Sequence, residues 1–429
     1  MALNAAQACV AMLRVTAHDA QAEREALARL AAWAGQYTPV VSLAPPQALL
    51  LEVAGSRRLF GGDSNLREQV RQGLAELGFT ARSALAPTPL AALWLARAGG
   101  EARVTRTAQL AAALAPLPLA ALEPDARQGA LLAAMGLGRL GDCLRLPRAG
   151  LAQRLGPEWV LALDRALGRL PDPRPAYTPP LAFTTELNLP APVTDSSVLL
   201  FGLHRLVIEL GGFLRARQAA VQALSVTLAH RRPVPPTALR LTLVAPTRDV
   251  AHLTGLLRER LERLALPAPV EALALDAETL CLLPDANLAL FAAAHAPPAA
   301  AAEWLERLQA RLGREAVHGL KRVADHRPEY AWAHRPPVPG APGGIAIDTV
   351  RRPLWLLPAP LALAERDGRP VWDGALTLEP GRERIEAGWW DDRDIARDYF
   401  VATTATGTRL WVYRELTGAR GWFLHGLFA

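Results

Sequence analysis

Apolar residues recur along this chain with changing periods, and the changes divide it. Leu27 and Leu30, with Trp33 nearby, mark one face of a helix over residues 20–35. Val40 to Leu43 follow, then a Pro45-Pro46 break and the run Ala48-Leu49-Leu50-Leu51-Glu52-Val53, which reads as a buried strand. Gly61-Gly62 turns the chain, and Asp63 or Ser64 caps the next helix. Leu66, Val70, Leu74 and Leu77 then recur at spacings of four, four and three until Gly78. A short strand over Thr80 to Leu85 and a helix from Pro89 through Arg97 complete an α/β unit over roughly residues 1–100.

Residues 108–172 lose the strand pattern. Short apolar helices are predicted at Leu131 to Met135, Leu140 to Leu146, Gly150 to Leu155 and Val160 to Leu167, a small all-helical domain. Leu170 to Pro180 holds five prolines and reads as a linker. Over residues 181–276 the period alternates between two and near four. Leu181 to Leu187 and Val270 to Leu275 form strands; Leu224, Val226 and Leu228, and Leu239, Leu241 and Leu243, form two more. Leu199, Leu203, Leu206, Leu210 and Phe213 make one helical stripe, and Val250, Leu253, Leu257, Leu261 and Leu264 another. The order β-α-β-β-α-β is a split two-helix sandwich. Residues 285–300 are rich in Ala and Pro, and a helix runs from Ala301 to Leu312. Beyond residue 330 lie seven of the 11 tryptophans, on short segments broken by Gly and Pro, which predicts a small β-rich domain.

Composition sharpens this picture in two ways. Of the 429 residues, 51% are hydrophobic and 21% charged, enough to bury a core in several domains. The net charge is +6, and Lys321 is the only lysine among 47 basic residues. Arginine forks grip phosphate at two points, so the balance permits a nucleic-acid partner. No run of 18 apolar residues is free of charge and proline, and Met1 to Val10 has no basic leader pattern. Cys9, Cys143 and Cys281 lie too far apart for a disulfide framework or a zinc cluster. A soluble cytoplasmic protein without a membrane partner is the expectation.

Candidate chemistry is sparse. In Gly136-Leu137-Gly138-Arg139-Leu140-Gly141, the glycines Gly136, Gly138 and Gly141 could let a tight turn point N–H groups at a phosphate, with Arg139, Arg145 and Arg148 around it. An ordinary helix–helix turn would look the same. Arg231, Arg232 and Arg240 lie on or beside the two central strands, with Arg240 and Thr242 on the face away from the helices. That face could lie on a nucleic-acid backbone, or simply be solvated. Asp391-Asp392-Arg393-Asp394, beside Trp389-Trp390, reads as a charged loop rather than a metal site. Gly61-Gly62 has no following lysine to make a phosphate loop, and no Gly-x-Ser-x-Gly, His-Glu-x-x-His or Walker sequence occurs.

The run Ala48 to Gly62 and the later Ala81-Arg82-Ser83-Ala84-Leu85-Ala86-Pro87-Thr88-Pro89 resemble the palm of the Y-family translesion DNA polymerases. The glycine hairpin resembles their thumb, and the β-α-β-β-α-β unit their little finger. Val323 to Glu329, Arg384 to Asp391 and Gly421 to Ala429 resemble the catalytically inactive, polymerase-like members of bacterial mutagenesis cassettes. The resemblance implies an α+β multidomain fold. A palm/fingers remnant spans 1–105, with the first palm strand and its Asp placed upstream of Met1, and a helix-hairpin-helix thumb spans 106–175. The little finger covers 181–280, a linker 281–300, and a β-rich partner-binding domain 301–429.

Where active members carry an adjacent Asp-Glu pair, this chain has Gln47 and Ala48, while Glu52 matches a structural Asp. The family's Asn-Lys pair is Thr88-Pro89. Two-metal phosphoryl transfer needs such carboxylates, so the resemblance implies no catalytic residue, no metal and no cofactor. Family members dock on the sliding clamp through Gln-Leu-x-Leu-Phe. The matching stretch is Asn287-Leu288-Ala289-Leu290-Phe291, with Asn287, Leu288, Leu290 and Phe291 as the contacts. Implied partners are damaged or primed DNA, the clamp, an error-prone replicative-type DNA polymerase and a RecA-like cassette partner. DNA would be held without sequence preference by Gly136, Gly138, Arg139, Gly141, Arg148, Arg231, Arg232 and Arg240. An active polymerase with displaced carboxylates and a pure protein-interaction module stay open as alternatives.

Overall fold

The computed structural model describes residues 3–282, 299–337 and 352–428, apart from positions 11, 14, 16, 354 and 419. Two compact units emerge, Met1–Leu288 and Ala289–Ala429.

The first unit opens with helix α1 (Leu3–Cys9) and helix α2 (Ala20–Ala34). Asp19 caps α2 by accepting the Gln21 and Ala22 N–H groups at 2.9 and 3.0 Å. Strands β1 (Val41–Ala44) and β2 (Ala48–Leu51) make an antiparallel hairpin with Ala44 opposite Ala48. The expected buried strand is half-buried, because a two-stranded ribbon has no further strand to cover it. Helix α3 (Asp63–Glu76) follows as the leucine spacing predicts. The expected strand at Thr80 to Leu85 is absent: only Leu85 bridges, to Arg103, and Arg67 takes the Ser83 carbonyl at 3.1 Å.

Helix α4 (Pro89–Arg97) buries Trp94 and Leu95 in the same core as the helices after it, α5 (Leu110–Leu114), α6 (Ala126–Ala134), α7 (Leu140–Leu144), α8 (Arg148–Leu155) and α9 (Pro157–Ala166). The sequence pattern grouped α4 with the preceding α/β unit, whereas its apolar face completes the all-helical core around Leu110, Leu140 and Leu163.

Strand β3 (Phe183–Val193), helix α10 (Ser196–Ala216), strands β4 (Ala219–His230) and β5 (Thr237–Thr247), helix α11 (Val250–Leu261) and strand β6 (Val270–Leu282) follow in the predicted order. The strands pair antiparallel as β3-β6-β4-β5. Leu224 sits opposite Leu241 and Ala277, and Val226 opposite Leu239 and Leu275, so one face is apolar. Helix α10 is long and apolar enough to cross a membrane by composition. It is instead the core helix of this sandwich, with Leu199, Leu203, Leu206, Leu210 and Phe213 buried.

Helix α10 also packs on α2. Trp33, 2% exposed, lies between α3 and α10, where Gly73 and Gly212 leave room for its ring. Tyr37 meets it edge-on at 5.4 Å.

The second unit holds helix α12 (Ala299–Leu312), the hairpin β7 (Gly319–Arg322) and β8 (Trp332–Arg335), and strands β9 (Trp355–Arg366), β10 (Arg369–Val371), β11 (Thr377–Leu378), β12 (Glu383–Ala387), β13 (Ile395–Thr403), β14 (Arg409–Glu415) and β15 (Trp422–Leu427). Their order is β10-β9-β15-β14-β13-β11, with β12 also on β13. The β-rich unit expected from the tryptophans is built on two small cores. In one of them Tyr399 stacks on Trp411 with centroids 4.0 Å apart.

Candidate nucleic-acid interface

The glycine turn lies between α6 and α7 as the sequence predicts, but its N–H groups are already bonded within the fold. Gly136 and Leu137 donate to Ala133 and Leu132 carbonyls, both at 3.0 Å. Leu140 and Gly141 donate to Leu117 and Ala115 carbonyls at 2.9 and 2.8 Å. Gly138 and Arg139 donate to Asp142 Oδ2 at 3.2 and 2.9 Å. The reading of these N–H groups as free phosphate donors is therefore corrected: a carboxylate of this chain sits where the anion would go. The Arg139 N–H, then the Gly138 N–H, then the Arg145 guanidinium at 2.5 Å hold the Asp142 carboxyl below the usual range.

The glycines have separate roles. Gly136 takes φ +68°, a left-handed turn conformation that glycine favours. Gly141 lets α7 approach closely, since a Cβ there would lie 3.0 Å from the Ala115 carbonyl oxygen. Arg139 remains an exposed cation on the turn.

Arg148 is less available than the sequence suggests. Its Nη1 donates to Asp164 Oδ1 at 2.7 Å, and its Nη2 donates to the other oxygen of the same carboxylate. Asp164 is buried and is also met by Arg169 at 3.4 Å. The Arg148 hydrogen bond outweighs burial and keeps the Asp164 carboxyl below its ordinary range. Arg148 is thus a clip between α8 and α9, not a free phosphate grip.

On the sheet, Arg231 and Arg232 stand exposed after β4 with no ion pair among the described residues. Arg240 lies on the face away from the helices, opposite Ser225, and pairs with Glu278 at 2.6 Å. The same face carries Glu186 and Asp276, by their alternation with Leu187 and Leu275. The expectation of a basic sheet face is corrected, because carboxylates from β3 and β6 outnumber Arg240. Strand register, invisible within any one strand, brings them there.

The eight predicted DNA-binding residues therefore fall into two groups on separate elements. Arg139, Arg231 and Arg232 are the exposed cations among them with no ion pair among the described residues. Asn287, Leu288, Leu290 and Phe291 lie outside the described residues.

Gln47 is exposed in the turn between β1 and β2, and Ala48 opens β2. Glu52 turns its carboxylate back to accept the Ala54 N–H at 2.9 Å. Thr88 caps α4 and donates its hydroxyl to the Ala166 carbonyl at 2.8 Å. These residues do not fit a two-magnesium centre, which requires several converging oxygen anions. No group of three or more His, Cys, Asp or Glu side chains able to hold a metal ion converges among the described residues. A cleft of about 770 Å³ lies elsewhere, lined by Trp33, Tyr37, His204, Arg215 and Arg248.

In the second unit, two stretches that the sequence presents separately meet at Arg327, which is 2% exposed. Asp325 receives its Nε at 3.0 Å and one Nη2 hydrogen at 2.8 Å. Asp391 receives Nη1 and Nη2 at 2.9 and 2.8 Å, and the Arg393 carbonyl accepts the remaining Nη1 hydrogen at 3.2 Å. All five guanidinium hydrogens are thereby used. The guanidinium also sits 4.5 Å from the Tyr330 ring centroid and 5.3 Å from that of Trp390. Gly388, at φ +95°, admits this arrangement, since a Cβ there would lie 2.6 Å from Arg327 Nη1.

These parts define an α+β multidomain chain with a glycine-hairpin helical unit, a β-α-β-β-α-β sandwich and a β-rich unit, and with no carboxylate at Gln47-Ala48. The chain is ImuB-like along nearly its whole length. It is 29% identical over 435 residues to Protein ImuB of Caulobacter vibrioides strain NA1000 / CB15N, covering 96% of this chain and 95% of that protein, and the figures are the same for strain ATCC 19089. No family model matches it. Among solved structures it is similar to a Dbh ternary complex (TM-score 0.34, 15% identity, 66% of this chain and 85% of that one). It is also similar to a DinB family error-prone DNA polymerase from Sulfolobus solfataricus (TM-score 0.34, 16% identity, 65% and 84%).

Proposed function

We propose that this chain is a non-catalytic homologue of the Y-family polymerases that works in DNA damage tolerance and SOS-induced mutagenesis. It binds damaged or primed DNA and the sliding clamp, and recruits an error-prone replicative-type polymerase with a RecA-like cassette partner in the cytoplasm. The observation that carries this reading is Gln47-Ala48 at the β1–β2 turn, with a glycine-hairpin unit and a β-α-β-β-α-β sandwich following it. The whole-length likeness to ImuB supports it.

In this reading residues 1–105 are a palm/fingers remnant, 106–175 the thumb and 181–280 the little finger. Asn287 to Phe291, within the linker 281–300, dock on the clamp, and 301–429 meet the protein partners. The DNA grip is narrower than the sequence suggests, resting on Arg139, Arg231 and Arg232 as electrostatic contacts to phosphate.

Purified chain with magnesium, nucleotides and a primed template extends no primer, yet binds primed duplex with steep loss over about 50–200 mM salt. Template-dependent extension in a preparation free of host polymerases overturns the reading, and so does a flat salt response. Leu290→Ala with Phe291→Ala abolishes clamp pull-down; unchanged capture removes the clamp assignment.

A further inference from the structure

The Arg327 arrangement has an outward side. Trp389 is 81% exposed and Trp390 55% exposed, and the two rings meet edge-on with centroids 5.4 Å apart. Large aromatic surface in water is unfavourable, so two neighbouring exposed indoles mark an interaction surface. Their pose is built in beneath them. Buried Arg327 is held by Asp325, Asp391 and the Arg393 carbonyl and lies against the Trp390 ring, so Trp390 is seated on an ion-paired guanidinium and Trp389 meets it edge-on. Such preorganisation lowers the cost of ordering side chains on binding.

The charge around the pair identifies the occupant. Asp325, Asp391, Asp392 and Asp394 stand against Arg327 and Arg393, a net of −2. Asp391 and Asp325 share the single charge of Arg327, while Asp392 and Asp394 are exposed with no ion pair among the described residues. Indole faces attract a guanidinium, and nearby carboxylates complete its recognition with charge-assisted hydrogen bonds. The same carboxylates repel phosphate, which sets the surface against single-stranded nucleic acid despite its capacity to stack bases.

We propose that Trp389 and Trp390, with Asp392 and Asp394 at their rim, form a docking surface for an arginine-bearing segment of a protein partner. The assignment goes beyond the polymerase-like reading and does not rest on it.

Fluorescence anisotropy on the full chain tests it with three labelled probes: a short peptide of alternating glycine and arginine, the same peptide with citrulline for arginine, and a short oligothymidylate. The arginine peptide binds, and the citrulline peptide binds far more weakly. Trp389→Ala with Trp390→Ala weakens the arginine peptide about tenfold or more, and Asp392→Asn with Asp394→Asn weakens it about threefold. Both pairs are exposed, so the melting temperature stays near that of the parent chain. Should the double alanine variant melt early, Trp389→Phe with Trp390→Phe replaces it, retaining part of the binding. Failure of the parent chain to bind the arginine peptide overturns the proposal. So does undiminished binding by the tryptophan variants, or loss of oligothymidylate binding in them while the peptide still binds.

Discussion

The ring of Trp33 fills the space a side chain on Gly212 would need: a Cβ built there would lie 2.2 Å from Trp33 Cδ1. Gly73, on the other side, has the same relation to Trp33 Cζ2 at 2.5 Å. One indole thereby joins α2 and α3 to α10. Gly212→Ala therefore destabilises the first unit by about 1–3 kcal/mol through overpacking, and Trp33→Ala by about 3–5 kcal/mol through the cavity it leaves. Denaturant unfolding of the full chain measures both, and an unchanged midpoint for either removes the wedge.

Asp142 occupies the hairpin N–H groups that a phosphate would otherwise meet. Asp142→Asn removes a negative charge beside Arg139 and Arg145 while leaving an oxygen acceptor for the turn. Duplex affinity then rises a few-fold, by roughly the effect of one charge near a helix terminus or turn. Anisotropy at fixed salt reads the change. Equal affinity in parent and variant places the DNA-binding surface away from this hairpin.

Arg231 and Arg232, in the turn after β4, are exposed and have no ion pair among the described residues. Replacing both with alanine lowers the slope of log affinity against log salt by about 1.8, at roughly 0.9 for each phosphate no longer neutralised. Arg240→Ala changes the slope less, because Glu278 already holds Arg240 at 2.6 Å. A slope that stays constant in the double variant removes these residues from the DNA surface.

His425 is buried beside Tyr399, whose hydroxyl lies 2.9 Å from His425 Nδ1. Burial holds the His425 pKa below its ordinary value, with the Arg397 charge adding to the shift and Glu329 opposing it. The unfolded chain then binds this proton more readily than the folded one. The contribution is full above the unfolded value near 6.5 and is lost as pH falls through the folded value. Thermal melts of the parent chain thus fall from about pH 7 to pH 5, and those of His425→Gln fall less. Parallel curves sink this assignment.

Much of the architecture follows from local pattern. The alternation at Leu224, Val226 and Leu228, the stripe from Leu199 to Phe213 and the glycine turn at Gly136 each predict their element, because period and turn chemistry are written into neighbouring residues. The segment at Thr80 to Leu85 fails this test, since its apolar residues find no partner strand beyond the Leu85–Arg103 bridge. Gln47 and Ala48 are equally plain in the sequence, where an absent carboxylate needs no tertiary context.

Only tertiary structure decided which charges are free. Arg148 and Arg240 look like phosphate grips in sequence, but Asp164 and Glu278, 16 and 38 positions away, claim them. Asp142 claims the hairpin N–H groups through a bond that a helix start makes possible. Arg327 and Asp391, 64 positions apart, meet on a plate that carries Trp390. Local residue order determines which elements form and which chemical groups are present. Ion pairing is a long-range interaction, set by strand register and helix packing, and so the available charge of this protein was settled only when the chain folded.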